Sequence, residues 1–505
     1  MEYDKDLQSI QEVRWLVAKA VVAQKELAKL NQEQVDRIVC EIAKACEGEA
    51  ERLAKMAVEE TGFGIWQDKV LKNLLGSRIT WDAIKDMKTV GIIGEDRQRK
   101  IMEVGVPMGV VAALIPSTNP TSTTMYKSLI SIKAGNSIVI SPHPNAKNCI
   151  IETAKVICEA AKKAGAPDGI VQCITKPSME GTDALLKNRS IGIILATGGE
   201  AMVRAAYSSG NPALGVGPGN GPSYIEKSAD IPMAVKRIMD SKTFDNGTIC
   251  ASEQSIITER CIEQKVVDEV TRQGGYFMTP EESDKLAGFI LRANGTMNPK
   301  IVGKSAEKLA QMAGISIPAG TRVLISRQKS VGKNNPYSRE KLCPILAFYV
   351  EEGWEAACER SMEILYNEGA GHTMTIHSQD ESVIREFALK KPVSRLLVNT
   401  PGSLGGVGAS TGLMPALTLG CGAVGGSATS DNVSPLNLIN IRRVAYGTCE
   451  LEDLRKLSPV APPPAAGSLS GRVADSVRSF SGASYTQEDI DAITQAVLKR
   501  LGAGR

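Results

Sequence analysis

The spacing of apolar residues along the chain predicts a helical opening. From Ser9 to about Lys88, apolar side chains recur every three or four positions among polar ones. This is the period of an α-helix with one buried face. Val35, Ile38 and Ile42 show the spacing within a single stretch. We therefore expect the first part of the chain to be all-helical.

Short apolar runs with the character of strands follow this opening. The segment from Thr89 to Met102 alternates around charged residues, which predicts an exposed ribbon. The run from Gly109 to Ile115 is continuously apolar, as in a parallel strand covered on both faces. Strand-like runs then alternate with a helix-like run, at Ser137–Ser141, about 146–163, Gly169–Ile174 and Ile191–Ala196. This alternation predicts an α/β fold with a doubly wound parallel sheet.

The second half of the chain repeats this mixture and then changes character. From about Gly221 to Ala409, helical patterns are interrupted by strand-like runs, at Gln254–Thr258, Ile345–Val350 and Thr373–His377. Leu436 to Tyr446 has the pattern of a closing strand. After Leu457 comes SPVAPPPAAGSLSG, a composition that cannot bury a core and predicts a flexible linker over 458–483.

The last residues, 484–505, predict a short amphipathic helix. Thr486 can cap its start, with Asp489 three residues later and Lys499 and Arg500 near its end. One apolar stripe follows the helix, made of Ile490, Ile493, Val497, Leu498 and Leu501. A helix this short is marginal alone, so the stripe is expected to need a partner surface. The other interpretation is a helix folded back onto its own domain.

Composition excludes several classes of protein. Hydrophobic residues make up 43% of the 505 residues and charged residues 23%, which is typical of a globular protein and not of a disordered one. The net charge is only +3, so neither a nucleic-acid partner nor a membrane surface is predicted. The charged N-terminus lacks the apolar stretch of a signal peptide, and we expect a cytoplasmic protein.

The cysteine and histidine patterns predict neither disulfides nor a metal site. The eleven cysteines are scattered and form no C-x-x-C pair, which is typical of reduced thiols. His372 and His377 have no acidic or Cys partner at a ligand-like spacing. We therefore predict no metal.

The segment around Cys250, KTFDNGTICASEQSIIT, carries the strongest indication of chemistry. A lone cysteine is usually a packing residue. Here three further segments accompany it: IPSTNPTST with Asn119, ATGG over 196–199, and EKLCP with Glu340. Together they resemble the aldehyde dehydrogenase superfamily in order and intervals, from about Gln8 to Gly447.

This resemblance implies a role for each matched residue. Cys250 would attack the aldehyde carbon, and Asn119 would donate a hydrogen bond to the resulting oxyanion, together with the Cys250 backbone N–H. Glu340 would hold the nicotinamide ribose. The residues assigned to the nucleotide cofactor are Thr197, Gly198, Gly199, Ser141, Glu340, Pro116 and Gly217.

Two differences from the hydrolytic members of that superfamily narrow the expected cofactor and the expected reaction. Ser141 stands where those members commonly carry a Lys that contacts the adenosine ribose, so NAD is favoured while NADP stays open. Their water-activating Glu lies 34 residues before the nucleophile, a place held here by Val216. Valine cannot take a proton, so a thioester on Cys250 would persist until a thiol arrives.

Three segments resemble the CoA-acylating branch instead, namely GVGPGN, GAGHT and NVSPLNL. The implied reaction is aldehyde + NAD⁺ + CoA → acyl-CoA + NADH + H⁺, with acetaldehyde or propionaldehyde favoured. His372, in GAGHT, either lines the nicotinamide end of the cleft or is structural. Glu253 is expected to be structural.

The resemblance also implies an organisation of the whole chain. Its fold would be that of an aldehyde dehydrogenase, with a Rossmann-like NAD domain, an α/β catalytic domain and a β oligomerisation arm. A homodimer or a dimer of dimers is expected. The linker and tail resemble the encapsulation peptides that carry enzymes into bacterial microcompartments, where shell proteins would be partners. The predicted ranges are 1–88 and 105–218 (NAD domain), 89–104 and 432–450 (arm), 219–431 (catalytic domain), 458–483 (linker) and 484–505 (tail).

Three alternatives remain open at this point. The first is a hydrolytic aldehyde dehydrogenase that uses another base. The second is an acyl-phosphate reductase of the glutamyl-phosphate type, which shares the fold and runs the hydride the other way. The third is a non-catalytic scaffold associated with a shell, for which the tail would be the main function.

Overall fold

The computed structural model describes residues 4–292, 294–458 and 485–501, with the single residues 473, 475, 476 and 479. The predicted linker over 458–483 therefore lies almost entirely outside the described residues. Contacts divide the chain into two compact units, one of residues 1–94 and 103–443 and the other of residues 95–102 and 444–505. The first unit contains both large sheets.

The opening of the chain is helical, as predicted. Its helices are α1 (Lys5–Leu27), α2 (Gln32–Gly48), α3 (Ala50–Thr61), α4 (Trp66–Leu74) and α5 (Thr80–Ile84), with a π-helical turn at Leu75–Ile79. Asn31 begins α2 with a capping box: its side chain accepts from Gln34 N–H while the Gln34 side chain accepts from Asn31 N–H. The apolar face of α2 is buried, which accounts for the helical spacing of the sequence.

A five-stranded parallel sheet follows. Its strands are β3 (Val110–Ile115), β4 (Ser137–Pro142), β5 (Val171–Cys173), β6 (Ile191–Thr197) and β7 (Ala213–Val216), in the order β5-β4-β3-β6-β7. The helices between and beside them are α6 (Pro120–Lys133), α7 (Lys147–Lys163), α8 (Met179–Leu186) and α9 (Glu200–Tyr207). Two hydrophobic clusters cover the sheet, one with α2, α6 and α7 and the other with α1. The continuous apolar runs therefore mark strands buried on both faces.

A seven-stranded parallel sheet occupies the second half of the unit. Its strands are β8 (Gly221–Ile225), β9 (Glu253–Glu259), β10 (Gly275–Phe277), β11 (Val323–Arg327), β12 (Ile345–Glu351), β13 (Gly371–His377) and β14 (Val393–Val398), in the order β10-β11-β12-β9-β8-β13-β14. The helices are α10 (Ile231–Thr243), α11 (Glu263–Arg272), α12 (Pro280–Ile290), α13 (Ala306–Ala313), α14 (Trp354–Asn367), α15 (Glu381–Lys390) and α16 (Gly402–Gly406). The predicted α/β class, with doubly wound parallel sheets, is confirmed.

The remaining elements are more exposed. β1 (Gly91–Asp96), β2 (Ile101–Pro107) and β15 (Ile439–Ala445) form a three-stranded sheet in the order β1-β2-β15. The helices after it are α17 (Leu451–Arg455) and α18 (Gln487–Arg500). Thr486 caps α18 in a capping box with Asp489, as the sequence predicts. The exact domain ranges given above remain predictions.

Candidate active site

A cleft opens at the carboxyl ends of the strands of the five-stranded sheet. The chain winds from β3 outward to β4 and β5, and then returns to the other side of β3 with β6 and β7. Such a reversal creates a crevice at the carboxyl edge, the place where doubly wound sheets bind their ligands. The cleft has a volume of about 470 Å³ and is continued by the loops that carry Cys250 and Glu340.

All nine residues predicted for the site line this one cleft. They are Cys250, Asn119, Thr197, Gly198, Gly199, Ser141, Glu340, Pro116 and Gly217. The strands bring them together because Pro116 follows β3, Ser141 is the penultimate residue of β4 and Thr197 ends β6. The structure thus assembles the predicted set, while the role of each residue remains a prediction.

Cys250 lies in the loop between α10 and β9 and is half-buried at the cleft wall. Burial, reinforced by the Glu340 carboxylate, raises the pKa of the Cys250 thiol to about 12. The thiol is therefore protonated at neutral pH. Close backbone packing fixes its loop, since a Cβ placed on Gly219 would lie 1.9 Å from the Cys250 carbonyl oxygen. Only glycine leaves room for this approach.

Asn119 directly precedes α6 and presents its side-chain amide beside the Cys250 loop. Its Nδ2 lies 3.3 Å from the carbonyl oxygen of Thr248, two residues before Cys250. Its Oδ1 accepts a hydrogen bond of 2.7 Å from Lys72 Nζ. The amide is thus held between α4 and the loop that carries the thiol.

A buried cluster of charged side chains, which the sequence reasoning missed, supports Asn119. Lys69 and Lys72 of α4 both donate to Asp245 Oδ2, Lys69 at 2.9 Å. Both lysines are 2% exposed and Asp245 is fully buried. The pattern of α4 gave no indication of it, because Lys69, Lys72 and Asn73 lie on the polar side of this helix, which helical periodicity predicts to be exposed and the structure buries.

Glu340 is anchored at the opposite side of the cleft. Its Oε1 accepts from Gly219 N–H at 2.9 Å, and its own N–H donates to Glu368 at 2.6 Å. Burial and the Glu368 carboxylate raise the pKa of Glu340 to about 8. Glu368 is in turn paired with Arg339 at 2.7 Å. Glu340 therefore faces the cleft as a carboxyl group that is mostly protonated at pH 7.

The walls at the sheet suit a dinucleotide. Thr197, Gly198 and Gly199 lead from β6 into α9, and a Cβ on Gly199 or on Gly217 would meet nothing within 4 Å. At such a turn, at the start of a helix, a ligand can approach the protein backbone closely. Ser141 Oγ lies 3.1 Å from Thr182 Oγ1. The residues present therefore fit the predicted nicotinamide dinucleotide.

The chemical character of the lining is apolar and nearly uncharged. The described residues that line the cleft include no Lys or Arg, and Glu340 is their one acidic side chain. Arg204 and Arg339 line the adjoining pocket, which shares Gly199 and Glu340 with the cleft. Val216 ends β7 next to Thr197 of β6, lines the cleft and is 4% exposed. A hydrocarbon side chain thus lies in the cleft at the position that the sequence analysis matched to the water-activating Glu of hydrolytic members.

Two further residues considered from the sequence stand apart from the lining. His372 is buried, bonds Thr373 Oγ1 at 2.9 Å through Nδ1, and is not among the residues that line the cleft. Glu253 begins β9 and accepts from Gly402 N–H at 2.7 Å, also outside the lining. Within the described residues, no three or more His, Cys, Asp or Glu side chains are grouped to hold a metal. In the same part of the chain, no helix has the length and apolar character of a bilayer span.

Comparison with known proteins decides the family. The model of the "Aldehyde dehydrogenase family" matches residues 6–337. The chain belongs to this family. The expected resemblance to the aldehyde dehydrogenase superfamily is thereby confirmed, and the two parallel sheets are those of its fold.

Two curated relatives show which aldehyde dehydrogenases the chain is similar to. It is 42% identical over 442 residues to the bifunctional aldehyde-alcohol dehydrogenase AdhE of Escherichia coli (strain K12), covering 86% of this chain and 50% of the relative. It is 41% identical over 434 residues to the succinate-semialdehyde dehydrogenase (acetylating) of Clostridium kluyveri, covering 86% and 95%. The chain spans about half the length of the AdhE-type relatives it matches.

Three solved aldehyde dehydrogenase structures share the fold. A probable aldehyde dehydrogenase from Listeria monocytogenes EGD-e is 64% identical, with a TM-score of 0.89 over 90% of this chain and 100% of that one. An acetylating aldehyde dehydrogenase from Geobacillus thermoglucosidasius is 51% identical, with a TM-score of 0.88 over 89% and 99%. A propionaldehyde dehydrogenase from the Clostridium phytofermentans fucose utilisation bacterial microcompartment is 27% identical, with a TM-score of 0.78 over 86% and 97%.

Proposed function

We propose that this aldehyde dehydrogenase oxidises a short uncharged aldehyde and transfers the acyl group to CoA. The observation that carries this proposal is Val216, a buried hydrocarbon side chain in the cleft that also presents Cys250 and Asn119. Names of relatives that contain the word "acetylating" support it.

The residues of the cleft account for each chemical requirement. Cys250 Sγ gives up its proton to solvent, which accounts for the H⁺ of the overall reaction, and attacks the aldehyde carbon. The alkoxide that forms accepts hydrogen bonds from Asn119 Nδ2 and the Cys250 N–H. The thiohemiacetal then loses a hydride and becomes a thioester on Cys250. When bound, NAD⁺ supplies the acceptor for that hydride. The thiol of CoA displaces the acyl group, because a thiol is a far better nucleophile than water without a base.

The lining indicates an uncharged substrate. Succinate semialdehyde, named for the Clostridium kluyveri relative, carries a carboxylate that a cation would have to balance. Next to Cys250 the described lining is apolar, with Ile249, Leu342 and Val407, and the cations Arg204 and Arg339 line only the adjoining pocket beyond Glu340. We expect propionaldehyde or acetaldehyde to be used with a kcat/KM at least about 100-fold above that of succinate semialdehyde, since an unpaired buried charge costs several kcal/mol. Comparable values for the two would contradict the substrate class.

The same lining favours NAD over NADP. The 2′-phosphate of NADP is usually met by an Arg, and the wall near Ser141 and Thr182 offers hydroxyl groups instead. Ser141→Ala should change the KM for NAD by only a few-fold, because one neutral hydrogen bond is worth about 1 kcal/mol. Initial rates with both nucleotides test the preference, and equal kcat/KM values for the two would refute it.

The decisive experiment is the dependence of turnover on CoA. NADH formation with propionaldehyde should stop after about one equivalent per site without CoA, and should proceed to completion with it. The second candidate function is hydrolysis with Glu340 as base, which is favoured by its position as the one carboxylate of the described lining. Sustained CoA-independent release of propionate that disappears in Glu340→Gln would select this alternative.

We also propose that the tail addresses the enzyme to a microcompartment and that the chain forms a homodimer or a dimer of dimers. The capping box of α18 and its position after the Pro-rich linker support the first proposal, as does the origin of the Clostridium phytofermentans relative. The exposed three-stranded sheet supports the second, because unpaired strand edges need cover. A monomeric mass in light scattering at micromolar concentration would contradict the oligomer.

A further inference from the structure

We propose that Lys72 is a positioning residue for the oxyanion donor, and that its ammonium group holds the Asn119 amide with Nδ2 toward the reacting carbonyl. This inference rests on the role proposed for Asn119. It adds a residue from α4, far from the nucleophile in sequence, to the machinery that stabilises the alkoxide.

The first step of the argument is the orientation of the amide. Lys72 Nζ lies 2.7 Å from Asn119 Oδ1. An ammonium group has three donors and no acceptor, so only the oxygen end of the amide can face it. Nδ2 must then point to the other side, where Thr118 Oγ1 and Thr248 O each lie at 3.3 Å.

The second step is that Nδ2 is only loosely held there. Both of its contacts are longer than the usual 2.7–3.2 Å of an N–H···O hydrogen bond. Thr248 O belongs to the loop that carries Cys250, so an alkoxide formed on that thiol would develop near the same amide hydrogens. An alkoxide can therefore replace these two long contacts of Nδ2 at little cost, while the shorter Oδ1 contact keeps the amide plane in place.

The third step concerns what holds Lys72. Its ammonium also bonds Asp245 Oδ2 and lies 2.8 Å from Thr248 Oγ1, so its three donors have three partners. Asp245 shares the same oxygen with Lys69. All three charged side chains are at most 2% exposed. Breaking such a buried cluster would leave a charge unpaired, so the ammonium has no cheap alternative position.

The fourth step is electronic. Burial lowers the pKa of Lys72 to about 8, so the group is still mostly protonated at pH 7. A charged donor on Oδ1 polarises the amide and makes Nδ2–H a stronger donor, since linked hydrogen bonds strengthen one another. Lys72 therefore acts through Asn119 and does not touch the aldehyde itself.

A double-mutant cycle tests this mechanism. Lys72→Met removes the ammonium and keeps an apolar stem. We expect kcat to fall roughly 10–100-fold, somewhat less than the 10²–10³-fold loss typical of a missing oxyanion donor. The KM values for aldehyde and NAD should change less than about twofold, because the interaction acts in the transition state. In the Asn119→Ala background the same substitution should lower kcat by less than about twofold.

Lys69→Met is the matched control. Lys69 has the same burial and the same Asp245 partner, but its other contact is Thr118 O at 3.0 Å and not Asn119. Whatever factor it costs in kcat should be the same with and without Asn119. Lys72→Gln, which can still donate to Oδ1, should retain more kcat than Lys72→Met, and it replaces that variant in the cycle if Lys72→Met does not fold.

The outcomes separate the two proposals. Asn119→Ala alone tests the oxyanion donor, and a loss of kcat below about fivefold would remove that role. With that role intact, Lys72 is excluded as a positioning residue if its substitution costs an equal factor in both backgrounds or leaves kcat at the wild-type value. Thermal unfolding of every variant shows whether a loss of kcat arises only because less of the protein is folded.

Discussion

At the scale of single residues, the proposed nucleophile is a thiol that its buried position keeps protonated. The pKa of Cys250 is raised to about 12 by burial and by Glu340, whose own pKa is raised to about 8. Both shifts have the same cause, the loss of water around a negative charge. Reactivity of Cys250 should therefore report the charge of Glu340.

Alkylation of the free enzyme by iodoacetamide tests this coupling. Only the thiolate reacts, so below its pKa the rate at Cys250 should rise about tenfold per pH unit. Glu340→Gln removes a negative neighbour and lowers the pKa of the thiol, which makes alkylation faster. Because Glu340 itself ionises near pH 8, the variant should match the wild type at pH 6.5 and exceed it at pH 9. Mass spectrometry of the Cys250 peptide gives the rates, and a flat pH profile would contradict the raised pKa.

Replacement of the nucleophile gives a second prediction. Cys250→Ser should lower turnover below about 1% of wild type, because hydride loss requires the thiohemiacetal and a neutral hydroxyl is a weak nucleophile. NAD binding and the melting temperature should stay close to those of the wild type. Residual activity above a few per cent would mean that another group attacks the aldehyde.

At the scale of elements, the turn between β7 and β8 sets both the fate of the acyl group and the position of the thiol. Val216 ends β7, Gly219 packs on the Cys250 carbonyl oxygen, and the N–H of Gly219 holds Glu340. One short segment thus contacts both the loop that carries Cys250 and Glu340, the residue proposed to hold the nicotinamide ribose. Substitutions in this turn should therefore have large effects: at Val216 on how the acyl group is released, and at Gly219 on the position of the Cys250 loop.

Val216→Glu should create CoA-independent release of free acid. The new carboxylate would lie at the end of β7 in the cleft and could take a proton from water. Burial raises the pKa of such a carboxyl group, so the gain should grow with pH between about 6 and 8. Product analysis without CoA measures it. Hydrolysis by the wild type as fast as its CoA acylation would make the comparison meaningless and refute the acylating assignment.

Gly219→Ala should damage the site through the backbone. The added Cβ would meet the Cys250 carbonyl oxygen at 1.9 Å, so the nucleophile loop must shift. We expect a loss of about 1–3 kcal/mol in unfolding free energy and a fall in kcat of at least tenfold, as a displacement near 1 Å costs about 10²-fold. Gly288→Ala is the control, since its Cβ on exposed α12 meets nothing within 4 Å and should be neutral or slightly stabilising.

Much of the element pattern could be predicted because burial dictates it. The apolar run predicted at Ile191–Ala196 is β6, Ile191–Thr197, and the run predicted at Ile345–Val350 is β12, Ile345–Glu351. β8, with the sequence GPSYI, was not predicted because it has neither an apolar run nor alternation. The strand β10, Gly275–Phe277, is too short for its sequence to show an apolar run or an alternation.

The candidate site was predictable only where a motif surrounds the residue. Cys250, Asn119 and Glu340 stand in segments that resemble those of a family, and the structure brings them to one cleft. Lys72 meets Asp245 across 173 positions, and no local pattern reports such a contact. Hydrogen bonds between distant segments depend on tertiary structure, so the supporting cluster became visible only with the fold.

At the scale of the whole molecule, the chain separates into a unit that contains the cleft and a unit that contains the tail. All residues that line the cleft belong to the first unit. Along the apolar stripe of α18, Ile490 is buried, Ile493, Val497 and Leu498 are half-buried, and Leu501 is 64% exposed. Catalysis and addressing should therefore be separable.

Deletion of residues 458–505 tests this separation. The truncated enzyme should keep kcat and KM within about twofold of the full chain, since none of the described residues in the deleted range lines the cleft. Co-purification with shell proteins should be lost, and residues 484–505 fused to a fluorescent protein should enter shells. Inactivity of the truncated enzyme, or a diffuse reporter in cells that make shells, would refute the tail proposal.

The valine at the end of β7 has an energetic consequence. An enzyme that hydrolyses its acyl intermediate dissipates the free energy of the thioester and becomes irreversible. With Val216 in the cleft, the proposed transfer to CoA would keep that free energy in acyl-CoA. The overall reaction then stays close enough to equilibrium to be driven backwards, so the ratios of NADH to NAD⁺ and of acyl-CoA to CoA decide whether the same cleft consumes the aldehyde or makes it.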